Sequence, residues 1–282
     1  MATSSVAATA PWRQLFLEHV RAMPAPEFTL GTVRKVRSPS SAGAVEHVPR
    51  ARTCVFRGLW GELSAAAAEP NPPDVYEGSD LLTFTTDRRS AKVADLFGAE
   101  AEAEADGGEG SRAPRLDGSG GGAPVEAVFW VVAARTQWRV RGRAYVLAPG
   151  AEDGGEEGRQ AAALIRARMR RRGAGDEVSW SFDREIAAHF GNLSPLMRGT
   201  FRGPAPGRPV AAAVEGPGLG QRIDDLEDVA ARANFRVVVV VPHEVDRCDL
   251  SDPERGRRWL YRLVGGEEGE GEGKWEEFEV WP

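Results

Sequence analysis

Cysteine is scarce in this chain of 282 residues: Cys54 and Cys248 are its only two. Two thiols cannot build a disulfide framework, which points to a reducing compartment and excludes small secreted scaffolds. Long apolar runs are missing as well. The longest, residues 237–241, is far short of the ~20 residues that span a bilayer, so no membrane partner is expected. The first residues lack both the charged and apolar regions of a secretory signal and the arginines of a transit peptide. A cytoplasmic location is expected. Positive charge is not in excess: 36 Lys+Arg against 42 Asp+Glu leave a net charge of -6, and nucleic acid is not an expected partner. The four histidines, His19, His47, His189 and His243, are scattered without metal-ligand spacing and read as surface or internally satisfied side chains. No metal site, nucleophile elbow or Walker-type phosphate loop is present. Gly118-Ser-Gly-Gly-Gly-Ala123 fits a dinucleotide pattern, but it follows no predicted strand and carries no weight.

What is there is a 41% hydrophobic fraction, enough for a sizeable core, in a length that suits one or two domains at ~150 residues each. The 33 glycines and 19 prolines cluster, with many of the acids, in residues 99–124, 149–158, 203–220 and 265–273. Such tracts bury too little apolar area to offset their ordering entropy. They read as low-complexity insertions in a single domain over 12–282, preceded by a disordered segment 1–11.

Between the tracts, Pro11 followed by Trp12, Leu15, Phe16, Val20 and Met23 predicts a helix. Further helices are expected over 90–97, 160–172, 182–190 and 224–232. Residues 172 and before, with Arg170, Arg171 and Arg172, suit a helix C-terminus. Strands are expected over 28–36, 50–59, 81–85, 125–133, 137–147, 235–242, 258–263 and 274–280, with 125–147 forming a hairpin and 65–78 a loop. The order does not alternate strand and helix. The expected class is mainly β with flanking helices (α+β), an antiparallel sheet or small barrel.

Cations and hydroxyls gather at the ends of the early strands. In Arg52-Thr-Cys-Val-Phe-Arg57, alternation puts Arg52, Cys54 and Phe56 on one face and Arg57 on the other. Arg89, Ser90 and Lys92 then bunch where a strand turns into a helix, and Lys92 is one of three lysines in the chain. A lysine there opposes the helix dipole, so helix stability does not explain it. A phosphate receptor would. A solvated junction with snorkelling arginines is the alternative on spacing alone.

Arg52-Thr-Cys-Val-Phe-Arg57, Leu81-Leu-Thr-Phe-Thr-Thr-Asp-Arg-Arg-Ser-Ala-Lys92 and Gln137-Trp-Arg-Val-Arg-Gly142 together resemble the FMN-binding split-barrel family of pyridoxamine 5'-phosphate oxidase. Asn192-Leu-Ser-Pro195, Pro204-Ala-Pro-Gly207 and Arg257-Arg-Trp-Leu-Tyr-Arg262 resemble later parts of an oxidase-like branch. The resemblance implies an FMN-binding split β-barrel, a homodimer and a small-molecule substrate. It implies that Arg52, Arg89, Ser90 and Lys92 hold the FMN phosphate, that Thr85 bonds the flavin or its ribityl chain, and that Gln137 meets the polar edge of the ring. Arg57 stands where the family has a basic residue near flavin and substrate. The family's substrate-gripping segments are altered here: Arg257-Arg-Trp-Leu260 has no histidine. The FMN half is retained and the substrate half changed. Three functions follow as expectations: an FMN-dependent oxidoreductase, with catalytic residues unassigned; a flavin-binding module without turnover; or a split-barrel interaction protein.

Overall fold

The computed structural model describes residues 9–37, 44–63, 68–102, 118–153, 155–172, 179–211, 216, 218–265 and 273–282. Six antiparallel strands close a ring: β1 (Glu27–Arg37), β2 (Val45–Leu59), β4 (Leu82–Asp87), β9 (Phe235–Asp249), β7 (Thr136–Leu147) and β6 (Gly120–Val131), which returns to β1. β9 closes it. Its first half pairs with β4 (Val240 opposite Leu82), and its whole length pairs with β7, from Val237 opposite Leu147 to Asp249 opposite Thr136. Its second half also pairs with β10 (Arg257–Val264), which carries β11 (Lys274–Val280) as a flap. The ring is the expected barrel.

Alternation divides the strands into two cores. Phe28 and Leu30, Cys54 and Phe56, Leu82 and Phe84, Ala127 and Phe129, Trp138 and Val140, and Val238 and Val240 point into the ring. The helix α1 (Arg13–Arg21) plugs one end. Phe16 and Val20, four residues apart, lie on its buried face, as the 3.6 period predicts. The Phe16 ring meets Phe129 at 5.1 Å and Trp138 at 5.5 Å, both edge-on. Tyr145, Leu147, Val237 and Val239 face outward. There they pack with α3 (Gly155–Ala167), α4 (Phe182–Gly191), α5 (Pro195–Thr200) and α6 (Val229–Asn234).

Several elements differ from the sequence expectation. The helix expected over 160–172 starts at Gly155 and ends at Ala167, and Met169–Arg171 is the short strand β8, paired with β3 (Tyr76–Ser79), which overlaps the end of the expected loop. Tertiary charge is the reason: buried Arg170 bonds Asp80 at 2.8 Å and Glu62 at 3.2 Å, partners stronger than a helix terminus. β9 continues past Pro242 because that residue sits at a bulge, opposite Gly142, where a missing N–H costs no ladder bond. A Cβ on Gly142 would come within 2.3 Å of the Val241 carbonyl oxygen. Residues 120–124 of the first tract are strand, 100–102 form β5 beside β1, and 155–158 open α3. Residues 103–117, 154, 212–215, 217 and 266–272 lie outside the described residues.

Candidate functional site

The end of the ring opposite α1 is built differently. One step beyond Leu30, Cys54 and Phe84 on their strands, the inward row continues with Thr32, Arg52 and Thr86. The helix α2 (Ala91–Phe97) covers this mouth, with Leu96 and Asp95 buried. Asp95 is the counter-charge: it accepts from Thr32 Oγ1 at 2.9 Å, Arg34 Nε at 2.7 Å and Arg52 Nη2 at 3.0 Å. Arg52 also donates to Thr32 Oγ1 at 2.6 Å and the Leu30 carbonyl at 3.3 Å.

Lys92 stands beside them. Its Nζ donates to Thr86 Oγ1 at 3.1 Å and Ser90 Oγ at 2.9 Å, and it makes no ion pair among the described residues. Burial lowers its pKa, opposed by the Cys54 thiol, and Arg52 lowers it further. Burial also pushes the Cys54 thiol up, while Lys92 and Arg52 pull it down. The three side chains therefore share one corner. Ser90 holds the N-cap position of α2, but its side chain makes no cap bond. Its oxygen accepts from Lys92, which leaves the O–H for another acceptor. Arg34, Arg52 and Lys92 against Asp95 leave two positive charges at the mouth. A phosphate monoester carries about −2.

The other sequence-predicted residues lie elsewhere. Arg89 is adjacent to Ser90, yet its guanidinium is chelated by Asp87 and donates to the carbonyls of Phe201 and Gly203. Thr85 alternates with Thr86 and so faces the outer side, as does Thr83, whose hydroxyl meets His189 Nε2 at 3.0 Å. Arg57 sits in the bulge between Phe56 and Gly58, in an open pocket of about 420 Å³ lined also by Phe56, Glu62, Leu63 and Asn192. Its Nε is buried without a hydrogen-bond partner, and burial lowers its pKa. Gln137 lies at the far end of β7, opposite Cys248. Leu147, ten residues on, pairs with Val237, the residue that also pairs with Thr85. That is about 34 Å of extended chain within one protomer.

Sequence reasoning missed Thr32, Thr86, Arg34 and Asp95. The face rule that joined Arg52 to Cys54 and Phe56 would have joined Thr86 to Phe84. Asp95 carried no local signal, because its partners are 43 to 63 residues away.

The histidines behave as expected where a contact is described. His19 Nδ1 accepts from Trp138 Nε1 at 3.1 Å. His189 is fully buried on α4, where burial lowers its pKa to about 4. One turn earlier, burial raises Glu185 to about 7, although the Gly61 N–H donates to its carboxylate at 2.9 Å. The Glu185 carboxyl and the His189 ring lie 4.0 Å apart. Among the described residues no group of His, Cys, Asp or Glu could hold a metal ion, and no helix is long and apolar enough to cross a membrane.

Residues 9–148 match the family model described as pyridoxamine 5'-phosphate oxidase, FMN-binding domain. A curated relative, the uncharacterized protein YGR017W of Saccharomyces cerevisiae, is 27% identical over 103 residues, 36% of this chain and 34% of that protein. The chain thus matches about a third of the length of that relative. Among solved structures, a pyridoxamine 5'-phosphate oxidase-related, FMN binding protein from Nostoc punctiforme superposes with a TM-score of 0.54 at 20% identity. That superposition covers 98% of this chain and 100% of the other, and at such identity the likeness is one of fold. The barrel, the paired inward rows and the match together give the conclusion: through residues 9–148 the chain belongs to the pyridoxamine 5'-phosphate oxidase FMN-binding domain family, with FMN as its cofactor.

Proposed function

We propose that the protein holds the FMN phosphate at the α2 mouth of the barrel, on Lys92, Ser90 and Arg52, and acts as an FMN-dependent oxidoreductase on a small molecule. The observation that carries this is Lys92: a partly buried ammonium held between two hydroxyls, with no ion pair among the described residues. Burying a cation without a counter-ion is costly, and an arriving phosphate would supply that counter-ion. Ser90 contributes its O–H. Arg52 keeps its Nε–H and one Nη2–H beyond the bonds it makes to Asp95, Thr32 and Leu30. Bound flavin supplies the electron transfer, and the chain supplies orientation and charge. Arg57 is another partly buried cation with no ion pair among the described residues, its Nε buried without a partner, and we assign it to an anionic or polar edge of flavin or substrate. Thr85 faces away from the α2 mouth and Gln137 lies at the far end of β7, which favours contacts with other parts of the flavin, or across a dimer.

The same reading treats residues 12–282 as one domain, since β9 completes a ring that residues 9–148 leave open. It treats the protein as a cytoplasmic homodimer, although on changed footing. β9 completes the ring, and exposed apolar side chains such as Trp130 and Leu250 would make the contact.

The test is the absorption spectrum of the purified protein. A flavin band, lost when Lys92→Met is purified alongside, is the expected result. A colourless protein that binds no added FMN overturns the reading. Bleaching by a nicotinamide nucleotide or by pyridoxamine phosphate, then recovery in air, separates an oxidoreductase from a module without turnover. Light scattering on the same sample should give twice 30.4 kDa. A monomer mass removes the dimer.

A further inference from the structure

The turn that carries Ser90 and Lys92 is bolted to a part of the chain more than a hundred residues away. Arg89 makes the bolt. Its Nε and Nη2 chelate Asp87 at 2.9 and 2.6 Å, and its own N–H donates to Asp87 Oδ1 at 2.7 Å. Its Nη1 and Nη2 reach the carbonyls of Gly203 at 3.0 Å and Phe201 at 3.2 Å. Both bidentate edges of the guanidinium are therefore occupied, and neither is left to clamp a phosphate. Arg88 repeats the linkage one residue earlier. Its N–H donates to the Asn234 carbonyl at 2.8 Å and its Nε to Asn234 Oδ1 at 2.9 Å. Asn234 Nδ2 in turn donates to the same Phe201 carbonyl at 2.8 Å. Phe201 is anchored below by Phe235, at 5.2 Å, and by Phe190. Three segments meet at one carbonyl: the 87–90 turn, the end of α5 and the junction of α6 with β9.

We infer that Arg89 is a positioning residue: it fixes the Ser90–Lys92 turn for phosphate through the 201–203 turn and Asn234, without touching the phosphate. This rests on the phosphate reading above and departs from the role that resemblance gave Arg89. It also makes the anion site depend on residues outside 9–148, the segment that matches the family.

The experiment compares FMN with riboflavin, which lacks the phosphate, by fluorescence titration of the full-length protein freed of flavin. The readout is the ratio of the two affinities, which a general loss of fold would not move selectively. Lys92→Met should lower the ratio about tenfold, the scale of one charge-assisted hydrogen bond. Arg89→Lys keeps the charge but cannot bridge a carboxylate and two carbonyls, and should lower the ratio by a similar factor. In the Lys92→Met background Arg89→Lys should change the ratio less than about twofold, because its effect passes through the turn that carries Lys92. Asn234→Ala, which cannot reach the mouth, should lower the ratio in the same direction and serves if Arg89→Lys folds poorly. A ratio unchanged by Arg89→Lys but lowered by Arg89→Gln means a direct charge contact and overturns the positioning role. So do effects of Arg89→Lys and Lys92→Met that multiply in full. Equal affinity of the wild type for both flavins overturns the phosphate reading itself, and this role with it.

Discussion

The two ends of the barrel are made from the same strands and the same inward alternation, yet they differ in chemistry. At the α1 end the inward row is Phe56, Phe129 and Trp138, sealed by Phe16 in edge-on contacts. At the α2 end it becomes Thr32, Arg52 and Thr86, with Asp95 and Lys92 above. The change occurs within one alternation step, from Cys54 to Arg52 and from Phe84 to Thr86. Rigid aromatic packing at one end holds the strands in place for polar groups at the other, whose surplus cations would cost stability on their own. One end stabilises, and the other receives.

That contrast can be broken most sharply at the stabilising end. Phe16→Ala should cost about 3–5 kcal/mol in urea denaturation, since the ring is fully buried and Phe56, Phe129 and Trp138 around it are held in strands that cannot collapse into the void. A loss below about 1 kcal/mol would show that the α1 plug is loosely packed. At the receiving end, Asp95→Asn should cost about 3 kcal/mol by leaving Arg34 and Arg52 without their carboxylate. Excess FMN should restore part of this loss by binding the native state, which it would not do for Phe16→Ala beyond the wild-type increment. Failure of FMN to offset Asp95→Asn would separate Arg52 from the anion site.

The outer face of the same strands supplies a smaller, pH-dependent comparison. Glu185 has a folded-state pKa raised to about 7, so stability falls as pH rises from its ordinary 4.5 toward that value. His189 has a folded-state pKa lowered to about 4, so stability rises with pH from there to its ordinary 6.5. The two slopes nearly cancel in the wild type. Glu185→Gln should expose a rise of up to about 1.4 kcal/mol per pH unit between pH 4 and 6.5, and His189→Gln a fall of similar size up to pH 7. Flat profiles in both variants would mean that neither group titrates as its burial implies.

Much of this architecture was legible in the sequence because it is local. The period of Trp12, Phe16 and Val20 marks α1, and alternation marks the hairpin of β6 and β7. The same alternation put Arg52 on the inward face, and the spacing of Ser90 and Lys92 put them at the start of a helix. Non-local pairings were hidden. Nothing near Arg170 announces Asp80, nothing near Arg89 announces the carbonyls of Phe201 and Gly203, and the closure by β9 is a matter of register. Asp95 was hidden for the same reason: an acid in a short helix looks like a solvated surface until its three donors arrive from β1 and β2.

The closing strand also sets a timetable. Leu82 must wait for Val240, 158 residues later, and Leu147 for Val237, 90 residues later. On a ribosome adding ~5–20 residues per second, the 87 residues between the end of β7 and the start of β9 take roughly 4–17 s. Throughout that interval β4 and β7 are raw edges flanking a sheet rich in buried aromatic rings. Such high contact order slows folding and exposes the unfinished sheet to aggregation, so the barrel's yield in a cell depends on how quickly its last third arrives.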